Sequence, residues 1–133
     1  MNFAGMNVLA ILAATVAAFV FGSVYYMALS RQWLAAVGKQ DARPKPVTLI
    51  VTFVAQLVMA WVLAGTIGHL GAGQVTLKNG VISAGFIWFG FVLTSMVVNN
   101  AFGDRKPMLS VIDGIHWLGV LVIQGAIIGA MGV

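Results

Sequence analysis

The chain has three acids, Asp41, Asp104 and Asp113, two histidines, His69 and His116, and no cysteine. Asp113 and His116 stand three residues apart in "SVIDGIHWLG" (Ser110–Gly119), ahead of an apolar run, "VLVIQGAIIGAMGV", that only Gln124 interrupts. An acid and an imidazole at that spacing lie on neighbouring flanks of one helix. Such a pair can act as general acid and base, or as the ion- or proton-coupled group of a transport site.

A catalytic centre needs more than one pair: a nucleophile with its base, paired acids, or three metal ligands. The other two acids lie in polar loops, and the absence of cysteine removes thiol chemistry, thiolate metal sites and disulfides. No catalytic residue, cofactor or metal is therefore expected. A plainer reading of Asp113 competes with the functional one. Pro107 suits a helix start, and Ser110 followed three residues later by an acid resembles a capping box. With Ser110 as N-cap, Asp113 falls in the first turn, where free amides and the helix dipole favour a carboxylate. The spacing favours this cap.

On a helical wheel of about 100° per residue, Asp113, Trp117 and Gln124 fall within about 40° of one another, with His116 about 60° to the side. One polar stripe thus runs from the edge of the span past its middle. Tyr25, Tyr26 and Ser30 end the first apolar run. Thr48, Thr52 and Gln56 open the second, and Asn99 and Asn100 close the third. The sharp reading is a polar pocket built from Asp113, His116, Gln124, Gln56, Tyr25, Tyr26 and Asn99. The plain reading is helix caps and interhelical hydrogen bonds, worth only about 0.6 kcal/mol each on average.

The elements that position these residues follow from composition. Of 133 residues, 61% are hydrophobic and 8% charged, against about 25% charged in a soluble domain. Four apolar runs, about 7–29, 47–70, 79–100 and 109–132, are each long enough to cross a bilayer. Helices are expected, because open sheet edges fail in lipid and barrel strands are shorter and alternate. The expected fold is an all-α membrane protein: one integral domain, residues 1–133, forming a four-helix bundle. The first run lacks basic residues before it and exceeds a signal peptide's apolar stretch, so it reads as retained. Prolines at Pro46 and Pro107, and "FG" at Phe21–Gly22 and Phe89–Gly90, also allow two duplicated parallel hairpins. That alignment sets Thr52 opposite Asp113 and Gln56 opposite Trp117.

Arg31, Lys39, Arg43, Lys45, Arg105 and Lys106 lie in loops one and three; Lys78 alone lies in loop two. The positive-inside rule then makes loops one and three cytoplasmic and puts both termini outside. The basic balance thus reads as topology, with no nucleic-acid partner. Ala10, Ala14, Ala18 and Gly22 form a smooth ridge on the first span, and Gly125 and Gly129 a second on the last. Small-residue ridges mean close helix packing, either inside the bundle or between two copies. Trp33 and the two tyrosines suit an interfacial aromatic belt. Trp61, Trp88 and Trp117 read as core, and His69 as a solvated loop histidine.

"FGSVYYMALSRQWLAAVG" (Phe21–Gly38) resembles the signature of a bacterial domain-of-unknown-function family of small four-span integral membrane proteins. The shared features are Gly22, the Tyr25–Tyr26 pair and Trp33. The last span is similar as well, with its acid at Asp113, the His116–Trp117 turn, and Gly125 and Gly129. The resemblance implies a four-span fold and a bacterial inner-membrane location, and it carries no activity. Besides the lipid bilayer, the partners expected are a second copy or a larger membrane complex. The role favoured is therefore a non-enzymatic accessory or structural subunit. The alternative is a dimeric small-molecule or ion transporter or binding protein using a cytoplasm-facing pocket around Asp113 and His116.

Overall fold

A computed structural model of the chain describes residues 6–41 and 43–133. Among them are five helices and no strand. The helices are α1 (Val8–Ala28), α2 (Ser30–Val37), α3 (Pro46–Gly68), α4 (Leu77–Phe102) and α5 (Pro107–Met131). All but α2 are apolar and 21 to 26 residues long. At about 1.5 Å per residue they are long enough to cross the roughly 30 Å hydrocarbon core.

Local chemistry explains the boundaries. The Asn7 side chain caps α1 by accepting from the Ala10 amide at 3.1 Å, and Thr76 caps α4 through the Asn79 amide at 3.1 Å. Pro46 and Pro107 occupy the first turns of α3 and α5, where their missing N–H costs no helical hydrogen bond. Loop one is not all loop. Only Leu29 separates α1 from α2, an eight-residue helix ended by Gly38 at φ +79°. Trp33, Ala36 and Val37 of α2 turn onto Tyr25, Tyr26, Leu109 and Ile112, forming a small core apart from the main one. Arg31 and Gln32 stay exposed.

The last helix is the hub: α5 packs on α4, α1, α3 and α2. The small-residue ridges explain how. Ala10, Ala14, Ala18 and Gly22 are all buried. Ala14 joins Ala60, Leu63, Ala64 and Leu121 in the main core. On α5, Gly125 and Gly129 face Gly80 and Thr76 of α4, and a Cβ on any of the three glycines would strike the opposing backbone. Both ridges are therefore used inside the bundle, and neither is left for a second copy. Neighbouring spans within each half do pair, but the halves are not interchangeable. The Thr52 hydroxyl donates to its own helix at Thr48 O, 2.7 Å away, while Asp113 is held from another helix.

The Asn7 amide donates to Met131 O at 3.3 Å, so the start of α1 and the end of α5 meet. At the opposite end lie α2 and the turn 103–106, where the Lys106 ammonium donates to Ala35 O at 3.0 Å.

Candidate functional site

The helix start decides what Asp113 can do. Lys106 is the N-cap of α5 without a side-chain cap bond, and the first turn contains no acid. Because Pro107 already begins the helix, Ser110 lies within it and Asp113 in its second turn. The cap expected for this pair is overturned. Ser110 Oγ instead accepts from the Asn100 side-chain amide at 3.0 Å.

Asp113 belongs to a cluster at the basic end of the bundle. The Tyr26 hydroxyl donates to its Oδ1 at 2.6 Å, and the Trp33 side chain lies beside the carboxylate. Tyr25, one residue back on α1, donates to Ile112 O at 2.6 Å. From the other side, Trp88 Nε1 of α4 donates to Gly114 O at 2.8 Å. The first half of α5 thus receives one or more hydrogen bonds from each of α1 and α4, and a contact from α2.

His116 is only 4% exposed and sits among rings. The centroids of Tyr26 and Trp117 lie 4.7 Å from the imidazole, Tyr25 at 5.7 Å and Phe21 at 6.2 Å, the last nearly parallel. Its Nδ1 is buried without a hydrogen-bond partner. Gly22 faces the other ring nitrogen, and a Cβ there would lie 2.7 Å from Nε2. Glycine is therefore required at that position for the imidazole to fit.

The expected pocket divides. Gln124 is fully buried, and its side-chain amide donates to Gln56 O at 3.0 Å. Both glutamine Oε1 atoms lack partners. At eleven residues from Asp113, about 16 Å along the helix, Gln124 and Gln56 form a second polar pair in the core. They do not belong to the same pocket. Asn99 is exposed and takes no place in the site; its neighbour Asn100 reaches α5 instead. Trp88 and Phe21, read only as core and as part of a repeat, hold the site from two sides.

In electrostatic terms Asp113 stands alone. Among the described residues no lysine or arginine nitrogen lies within 4.0 Å of it; the one ion pair there joins Arg43 and Asp41 at 3.9 Å, both exposed. Surface pairs of that kind contribute little. The described residues also bring no three histidines or acids together for a metal.

Every residue that carried the resemblance has now found a place: Gly22, Tyr25, Tyr26, Trp33, Asp113, His116 and Trp117 gather in one cluster, while Gly125 and Gly129 fasten α5 to α4. No curated protein and no solved structure matches the chain. The profile of a family described as "Protein of unknown function (DUF1761)" matches residues 9–129, which take in all four spans. The chain belongs to the DUF1761 family.

Proposed function

We propose that this chain is a non-enzymatic multi-pass protein of the bacterial inner membrane that holds a small ligand at the cluster around Asp113 and His116. Loops one and three, with six of the seven basic residues, face the cytoplasm in this reading, and both chain ends face outward. The observation that carries it is His116. A buried nitrogen with no partner costs about 1–3 kcal/mol, and an apolar ring of similar size would fill the same space without that cost. A ligand or bound water that donates to Nδ1 removes the penalty.

The test is native mass spectrometry on protein released from mild detergent. Wild type should retain a low-mass adduct that His116→Phe and Asp113→Asn lose while melting within a few degrees of wild type. Adduct-free wild type, or strong destabilisation by both variants, would make the cluster purely structural and overturn the proposal.

A second reading, an accessory subunit within a larger complex, is favoured by α4. Its outer face carries Phe86, Phe89 and Phe91, which are 75%, 66% and 73% exposed. Photo-crosslinkers at these positions should yield a defined protein adduct if this face docks a partner, and lipid adducts alone if it does not.

A further inference from the structure

We infer that the ligand of the Asp113 cluster is an organic cation, an alkylammonium whose apolar body lies in the bilayer. The inference rests on the binding-site reading above and adds the ligand's chemical class.

Charge is the first argument. Asp113 is the only acid in any of the four spans, and it lacks a lysine or arginine partner among the described residues. Tyr26 is a neutral donor and Trp33 a neutral neighbour, so the carboxylate is oriented while its charge stays uncompensated. Unpaired charges in poorly hydrated surroundings are costly, and in membrane proteins they commonly mark ion or substrate sites. A cation from outside the chain supplies the missing partner.

The walls give the second argument. Tyr26 and Trp33 both lie beside the carboxylate, their rings 6.0 Å apart and edge to face, and Trp117 lies one turn further along α5. Aromatic faces attract cations, most strongly where water is scarce. The rim already takes one: Lys39 Nζ sits 5.9 Å from the centre of the Trp33 ring and comes no closer to Asp113 than the ion-pair limit. One turn in, His116 lies buried beneath the cluster with its Nδ1 unpartnered, and in the tautomer protonated at Nε2 that nitrogen is an acceptor.

Access and depth fit a lipid-soluble molecule. Residues 46–51 of α3 are exposed throughout, so the start of that helix does not close over the neighbouring half of α5. Asp113, Trp33 and Trp117 are only half-buried. Asp113 lies about 9 Å along α5 from Pro107, a depth at which a charged head can stay near the interface while its chain enters the hydrocarbon.

The test uses the full chain in lipid nanodiscs and three probes sharing one chain: dodecylammonium, dodecanol and dodecyl sulfate. Binding is read from tryptophan fluorescence. Saturable binding by dodecylammonium alone is expected. Asp113→Asn should weaken it by about tenfold or more, while Asp113→Glu, which keeps the charge, should retain it. Trp33→Phe and Trp117→Phe should each weaken it by about two- to thirtyfold. Saturable binding of dodecanol that is lost in Asp113→Asn would overturn the cation and leave the binding site standing. An equal response to all three probes, or one unchanged in Asp113→Asn, reflects partition into the disc and overturns the inference. If Asp113→Asn fails to fold, the Glu and Trp→Phe variants still decide the matter.

Discussion

Gly22→Ala is the most direct probe of the cluster. The added methyl would stand 2.7 Å from His116 Nε2, with Cδ2 at 3.5 Å and Cε1 at 3.8 Å. The closest approach is about 0.7 Å short of ordinary contact, on the steep wall of the van der Waals potential. Little can yield. The imidazole is flanked by Phe21, Tyr25, Tyr26 and Trp117 at centroid distances of 4.7 to 6.2 Å, and Tyr25 and Tyr26 are themselves tied by hydrogen bonds to α5. Overpacking of this kind costs about 1–3 kcal/mol.

A double-mutant cycle isolates the contact. In His116→Ala the obstacle is gone, so adding Gly22→Ala should cost nothing further, and the coupling energy should match the single-mutant cost of about 1–3 kcal/mol. Gly85→Ala is the control. Gly85 has no atom within 4 Å of the built Cβ, so alanine there should be neutral or gain up to about 1 kcal/mol in helix propensity. Reversible unfolding in bicelles, followed by tryptophan fluorescence, measures all four. If Gly22→Ala is harmless, or costs the same with and without His116, the packing described around the imidazole is wrong.

Gly125→Ala should exceed Gly22→Ala in cost, because its Cβ would meet the Gly80 carbonyl, which is backbone and cannot rotate away; the same unfolding assay ranks them. Val16→Leu, on a position 52% exposed, should change stability by less than about 0.5 kcal/mol in that assay. Ser110→Ala and Asn100→Ala should each cost about 0.5–1.5 kcal/mol and, combined, little more than either alone, since both remove one hydrogen bond; additive losses would revive the cap. Single cysteines at Gln40 and Gln74, both exposed and at opposite ends of the bundle, should label from opposite faces of intact cells, Gln40 only once the cytoplasm is opened.

The spans and their packing were legible because lipid leaves little choice. An apolar run of sufficient length must be a helix, and a row such as Ala10–Ala14–Ala18–Gly22 must face another backbone closely. A ridge does not name its partner, however. Gly80 and Ala84 do stand four apart in "LKNGVISAG", but that spacing does not say which other helix they meet. The functional residues were legible as types but not as groups. Asp113, His116 and Gln124 share one helix stripe, yet Gln124 lies about 16 Å from Asp113 along it and bonds to a different helix. The N-cap of α5 falls four residues before Ser110, at Lys106, because Pro107 and Ser110 both offer a helix start and the chain takes the earlier. Trp33 could be recognised as interfacial, but its contact with Asp113 depends on α2, whose eight residues lie in a stretch where basic residues and glycine suggest loop.

The inward turn of Asn100 has a geometric cause in the helix itself. Gly80, Ala84 and Trp88 recur every four residues on the side of α4 that meets α5. In an unbroken α-helix Ser95 would lie about 20° from that row and Asn99 about 60°, with Asn100 about 160° away on the outer face. Residues Trp88–Leu93 are instead π-helical, and such a segment takes up one extra residue and turns everything beyond it back by about one residue's rotation. Leu93 then lies inward, 3.2 Å from a Cβ built on Gly114, and Asn100 comes round to Ser110. The backbone carbonyls loosened by the wider turn find side chains. The Thr94 hydroxyl donates to Gly90 O at 2.9 Å and the Ser95 hydroxyl to Phe91 O at 2.5 Å, which is how irregular backbone is tolerated in lipid. The same stretch lets Trp88 point inward to Gly114 while Phe89 and Phe91 point out. One inserted residue therefore both brings Asn100 to Ser110 at the basic end of α5 and helps set the aromatic outer face of α4. Deleting Gly90 would take out the extra residue and restore a plain α-helix while leaving Asn100 in the same rotational position, so the hydrogen bond to Ser110 should survive that deletion.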